Sequence, residues 1–326
     1  MITRYTGQAG ELERLAAVLR SGDLVAVPSE TVYGLAADAL NAEACRRIFE
    51  AKERPPEDPL IVHLPSNYPV ETIARPTALL STLRESFWPG PLTVLLEKEP
   101  VVPDIVTAGL PSVAVRTPAH PLFQALLRAF GGPLAAPSAN PFAGISPTTA
   151  QHVEWGLGER VSHLLDGGPC RQGIESTILD IRDPDKPVLL RHGAISREQL
   201  ETVIGRPVAV RDTAGDTGIQ APGQAIRHYS PRTPLSLTGP AGPDDSAAIN
   251  TPDTALLYFR KPDPLPADAS RVFWLSDNGS PREAAANLFA VLHRIDRRGF
   301  ARILAQPAPD EGVGRAINDR LRRAAR

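Results

Sequence analysis

The chain has 326 residues, 42% of them hydrophobic, enough for two separately cored domains of roughly 100–200 residues each. Its 35 Lys and Arg against 37 Asp and Glu give a formal net charge of -2, which excludes bulk attraction to a nucleic-acid backbone or an anionic membrane; any anion site must be local. Two cysteines, Cys45 and Cys170, exclude a disulfide framework and lack metal-ligand spacing, as expected in a reducing compartment.

The opening MITRYTGQAGELERL has no apolar segment after a basic start, and no apolar run approaches the ~20 residues of a membrane span, so a cytoplasmic location without membrane association is expected. The 34 prolines are about twice the usual ~5%. Because apolar periodicity continues between them, they indicate rigid loops joining short elements.

In chain order, Leu12, Leu15, Ala16 and Leu19 stand at helical spacing, and Leu24 to Val27 is a short apolar strand stopped by Pro28. A second helix runs from about Ala42 to Lys52, burying Cys45, Ile48 and Phe49, and ends before Arg54-Pro55 because proline disfavours helical geometry ahead of it. Leu60 to Leu64 is a strand, a helix follows near Leu79 to Phe87, and Leu92 to Leu96 and Val113 to Val115 are strands flanked by Pro and Gly. A helix over 119–130 turns Leu122, Phe123, Leu126 and Phe130 inward. Strand runs at Leu134 to Ala136, His163 to Asp166, Thr177 to Ile181 and Val188 to Leu190 complete a body of mixed order, an α/β or α+β sheet.

Residues 205–230 lack sustained periodicity and are rich in Gly, Asp and Thr. Connections beyond roughly 12–15 residues are uncommon unless functional, so this linker is expected to act as a lid between a domain at 1–204 and one at 231–326. The last segment holds strands at Ala255 to Phe259 and Val272 to Leu275, a helix from Pro281 to about Arg298 and another near Gly314 to Ala324, a small α/β unit.

Neither G-x-x-x-x-G-K-[ST] nor a post-strand G-x-G-x-x-G occurs, so a nucleotide site would be built in another way. H-E-x-x-H, C-x-x-C and G-x-S-x-G are absent too. What remains are polar segments directly after strands: PSETVYGL at 28–35, KERPPEDPLIVH at 52–63, SVAVRTP at 112–118, APSANPFAGISPT at 136–148 and GIESTI at 173–178. They combine the cations Lys52, Arg54 and Arg116 with the hydroxyls of Thr31, Ser138, Ser146 and Ser176, groups suited to phosphate and carboxylate. The same residue types also serve as a solvated helix C-terminus (Lys52, Arg54), a strand-end salt bridge (Arg116) or local turns (the hydroxyls).

SETVYGL, Lys52 to Pro55, PLIVH at 59–63, Ser138-Ala139-Asn140 with Ser146-Pro147-Thr148, and Glu175-Ser176-Thr177 together resemble the YrdC-like family. Ala221-Pro222-Gly223 with Arg227-His228-Tyr229, and GVGRAINDRLRRAA near the end, resemble its long two-domain threonylcarbamoyl-AMP synthases. The chain departs from the family pattern at Asp58, His192 and Ala225-Ile226. The resemblance implies a twisted mixed sheet with flanking helices, plus a smaller C-terminal Rossmann-like α/β domain. It implies condensation of L-threonine, bicarbonate and ATP into threonylcarbamoyl-AMP for tRNA modification, with Mg²⁺ accompanying ATP and no tightly bound organic cofactor. By the same resemblance Lys52 and Arg54 act on the phosphates, and Thr31, His63, Arg116, Ala136 and Ser176 surround threonine. Ser112, Ser138, Ser146 and Arg191 meet ATP, and Tyr229 folds over it. Downstream partners would be the threonylcarbamoyl-transfer machinery, with tRNA contact left open. A non-catalytic RNA-binding protein and a carbamoyl-transfer maturation factor are the alternatives.

Overall fold

The computed structural model describes residues 2–211, 221–222, 228–243, 253–266 and 268–326. Short apolar runs broken by Pro and Gly give short strands, and the longer periodic stretches between them give helices. In chain order these are β1 (Thr3–Tyr5), α1 (Glu11–Arg20), β2 (Val25–Val27), β3 (Gly34–Asp38), α2 (Ala42–Lys52) and β4 (Ile61–His63). Next come β5 (Ala74–Arg75), α3 (Ala78–Phe87), β6 (Leu92–Lys98), α4 (Asp104–Thr107), β7 (Ser112–Arg116) and α5 (Pro121–Phe130). The first sheet is completed by β8 (Leu134–Ala135), β9 (His163–Leu165), β10 (Thr177–Asp180), β11 (Val188–Arg191) and β12 (Ala209–Val210), with helices α6 (Ala150–Leu157) and α7 (Arg197–Ile204) among them.

Spatially this mixed sheet runs β1, β9, β2, β3, β8, β4, β7, β6, β10, β11, β12, with β5 paired to β6. Helix boundaries follow local chemistry. Asn41 caps α2 by accepting from the backbone N–H groups of Glu43 and Ala44, while α5 begins with Pro121 in its first turn and stops at Gly131 in the left-handed region. Side chains alternate across each strand. Val62, Val94, Val113, Val115, Leu179 and Leu189 enter one core with Ile48 and Phe49 of α2 and Leu80 and Leu83 of α3. The alternate residues Ile61, Leu95, Ala114 and Ile178 form a second apolar face. At the other end of the sheet Val25 and Val27 pack with Leu15, Leu19, Phe123, Leu126 and Leu127 of α1 and α5.

A second, fully parallel sheet holds β13 (Leu235–Leu237), β14 (Thr254–Arg260), β15 (Val272–Ser276) and β16 (Arg302–Ala305) in the order β13, β16, β14, β15. Helices α8 (Pro281–Asp296) and α9 (Gly314–Ala324) pack on it through Leu288, Phe289, Leu292, Ile317 and Leu321. Strands at 3–5, 34–38, 235–237 and 302–305 and helices at 150–157 and 197–204 occur where the sequence had suggested none. Of residues 205–230, the stretches 212–220 and 223–227, including Ala225-Ile226, lie outside the described residues. No helix among the described residues is long and apolar enough to cross a membrane.

Candidate active site

The second apolar face carries the site. Because residues i and i+2 share a face, Arg116 lies on the side of Ala114, and His63 on the side of Ile61. On β11 the register against β10 shifts between Ile178 and Leu179, so Ile178 pairs with Arg191 and Leu179 with Leu189. This bulge turns consecutive residues to one side: Leu190 joins the apolar face and Arg191 lines the cavity above it. Ala221, fully buried, packs on that face, so the chain between the two sheets crosses it here.

The cavity, about 590 Å³ including space open to solvent, is lined by Thr31, Arg54, His63, Arg116, Ala136, Ser138, Ser176, Arg191 and Tyr229 among the residues expected from sequence. Three others are displaced from it. Lys52 is buried beneath the wall, its ammonium donating to the carbonyls of Ser138 and Asn140. This corrects the image of a solvated helix C-terminus. Ser146 reaches the cavity through Glu175, donating from Oγ to Oε1 at 2.5 Å. Ser112 begins β7, four residues and so roughly 13 Å from Arg116, and does not line the cavity. Ser29, Phe123, Glu175, Pro222 and His228 line it without having been singled out as contacts.

Each guanidinium is fixed by the protein with donors to spare. Arg116 donates from Nε to the Gly90 carbonyl at 3.0 Å and from Nη1 to Thr31 Oγ1 at 3.0 Å, and its Nη2 pairs with Glu30 Oε1 at 2.5 Å. Five N–H groups against these three partners leave one on each terminal nitrogen, the number a carboxylate takes end-on. Arg191 donates to the Ser176 carbonyl and Oγ and, from Nη1, to the Pro222 carbonyl at 3.0 Å. Arg54 pairs with Asp58 Oδ2 at 3.0 Å and donates to the carbonyls of Asp58 and Pro59, while Nη1 makes no hydrogen bond among the described residues. Burial lowers the pKa of Arg54, with Asp58 opposing, and that of Arg191. Lys52 is pushed well below its ordinary value, first by burial and then by Arg54. Such cations gain from an incoming anion, which restores the stabilisation that water no longer supplies.

Burial, aided by Arg116, pushes His63 down to about 3, so the ring is neutral at physiological pH; its Nδ1 is buried with no partner among the described residues. His228 lies well below its ordinary value through burial and then Arg54, Lys52, Arg191 and Arg320. Burial raises Tyr229 to about 12, and its hydroxyl also lacks a partner among the described residues. His152, at about 3, and His293, at about 4, are lowered mainly by burial and stack across the two domains at 4.0 Å.

These four histidines define a pH response. In the unfolded chain each takes a proton near pH 6.5; in the folded chain each stays neutral to a much lower pH, so the unfolded state binds more protons as pH falls. Stability is therefore fully present well above about pH 6.5 and falls progressively as the pH drops through that value toward the depressed folded-state values. Denaturant titrations at pH 7.5, 6.0 and 5.0 are expected to show a falling unfolding free energy; a constant value would contradict the burial of these rings in neutral form.

A family model described as telomere recombination, covering Sua5, YciO and YrdC proteins, matches residues 17–193. Another, described as threonylcarbamoyl-AMP synthase, C-terminal domain, matches residues 195–326. The chain is 40% identical over 320 residues to the threonylcarbamoyl-AMP synthase of Pyrococcus abyssi, covering 95% of this chain and 92% of that protein. It is 39% identical over 332 residues to that of Bacillus subtilis, covering 97% and 93%. A crystal structure of P. abyssi Sua5 complexed with L-threonine superposes with a TM-score of 0.88 at 37% identity, covering 100% of this chain and 97% of that one. By both domain models and by relatives matched along nearly their whole length, the chain belongs to the threonylcarbamoyl-AMP synthase family.

Proposed function

We propose that the chain makes threonylcarbamoyl-AMP and pyrophosphate from L-threonine, bicarbonate and ATP, supplying the activated group for threonylcarbamoyladenosine in tRNA. Threonine's amine adds to the carbon of bicarbonate, water leaves, and a carbamate forms. A carbamate oxygen then attacks the α-phosphorus of ATP and pyrophosphate departs. The protein needs no nucleophile of its own for this; it must hold two anionic partners side by side and meet the charge that grows on the phosphoryl oxygens.

The observation that carries the reading is the meeting of Arg54, Arg116 and Arg191 around one cavity, each anchored by backbone or side-chain acceptors. Arg116 takes the threonine carboxylate on its two remaining N–H groups, with Thr31 and Ser176 reading the small polar groups and the Ala136 backbone at the junction. Neutral His63 offers Nδ1 to the amino acid. Arg54, Ser138 and Arg191 face the nucleotide, Lys52 supports that wall from beneath by holding the Ser138 and Asn140 carbonyls, Ser146 acts through Glu175, and Ser112, at the far end of β7, stands outside the cavity. A carbamate loses carbon dioxide readily in water, so cover matters. The role of cover is assigned to the linker 205–230 between a catalytic domain at 1–204 and a second at 231–326; among its described residues Pro222 is held by Arg191 and Tyr229 lines the cavity.

No group of three or more His, Cys, Asp or Glu among the described residues could hold a metal ion. Mg²⁺ would arrive with the triphosphate, held largely by phosphate and water oxygens. Two buried thiols, Cys45 and Cys170, both raised to about 12 by burial, are inert and in keeping with a cytoplasmic protein. The product passes to the threonylcarbamoyl-transfer machinery.

Incubation with labelled bicarbonate, ATP and each amino acid in turn tests the reading. Labelled carbamoyl-adenylate and pyrophosphate are expected with threonine and at least tenfold less with serine or valine. Equal yields with all three, or salt-sensitive tRNA binding without ATP turnover, would overturn it.

A further inference from the structure

The reaction as described leaves one strongly placed cation unused. Arg320 of α9 belongs to the second domain, yet its side chain is wholly buried against the first. Its Nε donates to Glu175 Oε2 at 2.9 Å and its Nη1 to the carbonyl of His192 at 2.7 Å and to Asp319 Oδ2 at 2.8 Å. The guanidinium carbon lies 5.1 Å from the centre of the Tyr229 ring. Asp319 is itself braced, accepting from Arg323 Nε at 2.8 Å.

Glu175 lines the cavity and immediately precedes Ser176, so its orientation sets the wall that faces the substrates. Its two oxygens are divided: Oε1 takes the Ser146 hydroxyl and Oε2 takes Arg320. Gly193 presses on the same segment so closely that a Cβ there would stand 2.3 Å from Thr177 N and 2.6 Å from the Glu175 carbonyl oxygen. The 175–177 segment is thus held both by the close approach of Gly193 and by a guanidinium from the other domain. Tyr229, whose backbone takes the left-handed φ of 63° that a non-glycine residue rarely holds unaided, is backed by the same guanidinium.

An apolar side chain would join two domains at lower cost than a buried arginine whose Nη2 has no partner among the described residues. What an apolar contact cannot do is fix the direction of a carboxylate. We propose that Arg320 is a positioning residue through which the C-terminal domain sets Glu175, Ser176 and Tyr229 around the cavity, so that the second domain completes the active site. The inference rests on the reaction proposed above.

The test compares Arg320→Met, Arg320→Lys and Glu175→Gln in the full chain with Arg315→Ala, which removes a different ion pair from α9 to the first domain, that with Glu198 away from the cavity. Threonine-dependent pyrophosphate release gives kcat and the threonine KM, and circular dichroism gives the folded fraction. Arg320→Met is expected to raise the threonine KM and lower kcat, each about tenfold, at an unchanged folded fraction. Arg320→Lys, which keeps the charge, recovers part of the loss, Glu175→Gln reproduces the Met variant, and Arg315→Ala stays within twofold of the parent. Should Arg320→Met fail to fold, Arg320→Lys and Glu175→Gln still report on the same contact. The inference is overturned if the folded variants keep the parental threonine KM and lose turnover only in proportion to unfolded protein, or if Arg315→Ala is impaired equally. A parent enzyme without threonine-dependent activity would instead overturn the reaction itself.

Discussion

Replacing Arg116 by lysine is expected to raise the threonine KM roughly a hundredfold while the ATP KM moves less than threefold. One guanidinium holds the Gly90 carbonyl, Thr31 Oγ1 and Glu30 and keeps two N–H groups for the substrate carboxylate. An ammonium has three donors on a single nitrogen and cannot serve all of these in their directions. Losing a bidentate, charge-assisted pair costs about 3 kcal/mol of threonine affinity, which is the hundredfold effect. Arg116→Leu goes further, because it leaves the Glu30 carboxylate buried with the Ala119 N–H but without its cationic partner, a change that costs about 3–5 kcal/mol of stability. Lysine is therefore the informative variant: steady-state kinetics on a folded protein separate a binding defect from unfolding. A lysine variant with a parental threonine KM would remove Arg116 from the threonine site.

Arg54→Met is expected to act on the other substrate. Removing a fixed cation from developing phosphoryl charge lowers turnover on the order of 10²–10³-fold, and the threonine KM should stay near its parental value. The side chain also pairs with buried Asp58, so the single variant removes an ion pair of the fold as well as a cation of the site. Adding Asp58→Asn removes the charge and should restore the melting temperature but not the rate. Recovery of both in the double variant would mean that Arg54 serves the fold alone.

Much of this was readable from residue order. Helical spacing marked α1, α2, α5, α8 and α9, because each carries an apolar stripe over ten or more residues. The elements that escaped lack that signal. Strands β1 and β13 span three residues each, too short for alternation to register, and β3 reads Gly-Leu-Ala-Ala-Asp straight after a polar loop. In α7 only Leu200 is buried, so no stripe exists to detect. At the site, charged residues after strands pointed to the cavity, since strand ends are where a sheet leaves backbone and side chains open to a ligand. Burial and distance along the strand were not legible. Nothing in Lys52-Glu53-Arg54 says that the lysine turns into the protein while the arginine turns to the cavity, and Ser112 and Arg116 look equivalent until β7 is seen to put them at its two ends. Glu175 stood inside a recognised motif, but its partner Arg320 lies 145 residues further on, a separation that only the folded chain closes.

The central claim is that one cavity holds the amino acid on Arg116 and the nucleotide on Arg54 and Arg191, with the reacting groups between them. A crystal structure of the chain with L-threonine and a non-hydrolysable ATP analogue tests it most directly. The account predicts the threonine carboxylate within hydrogen-bonding distance of both terminal nitrogens of Arg116, the α-phosphate beside the amine, and Tyr229 against the nucleotide. Threonine or nucleotide bound outside this cavity, or the triphosphate seated on Arg116, would contradict it.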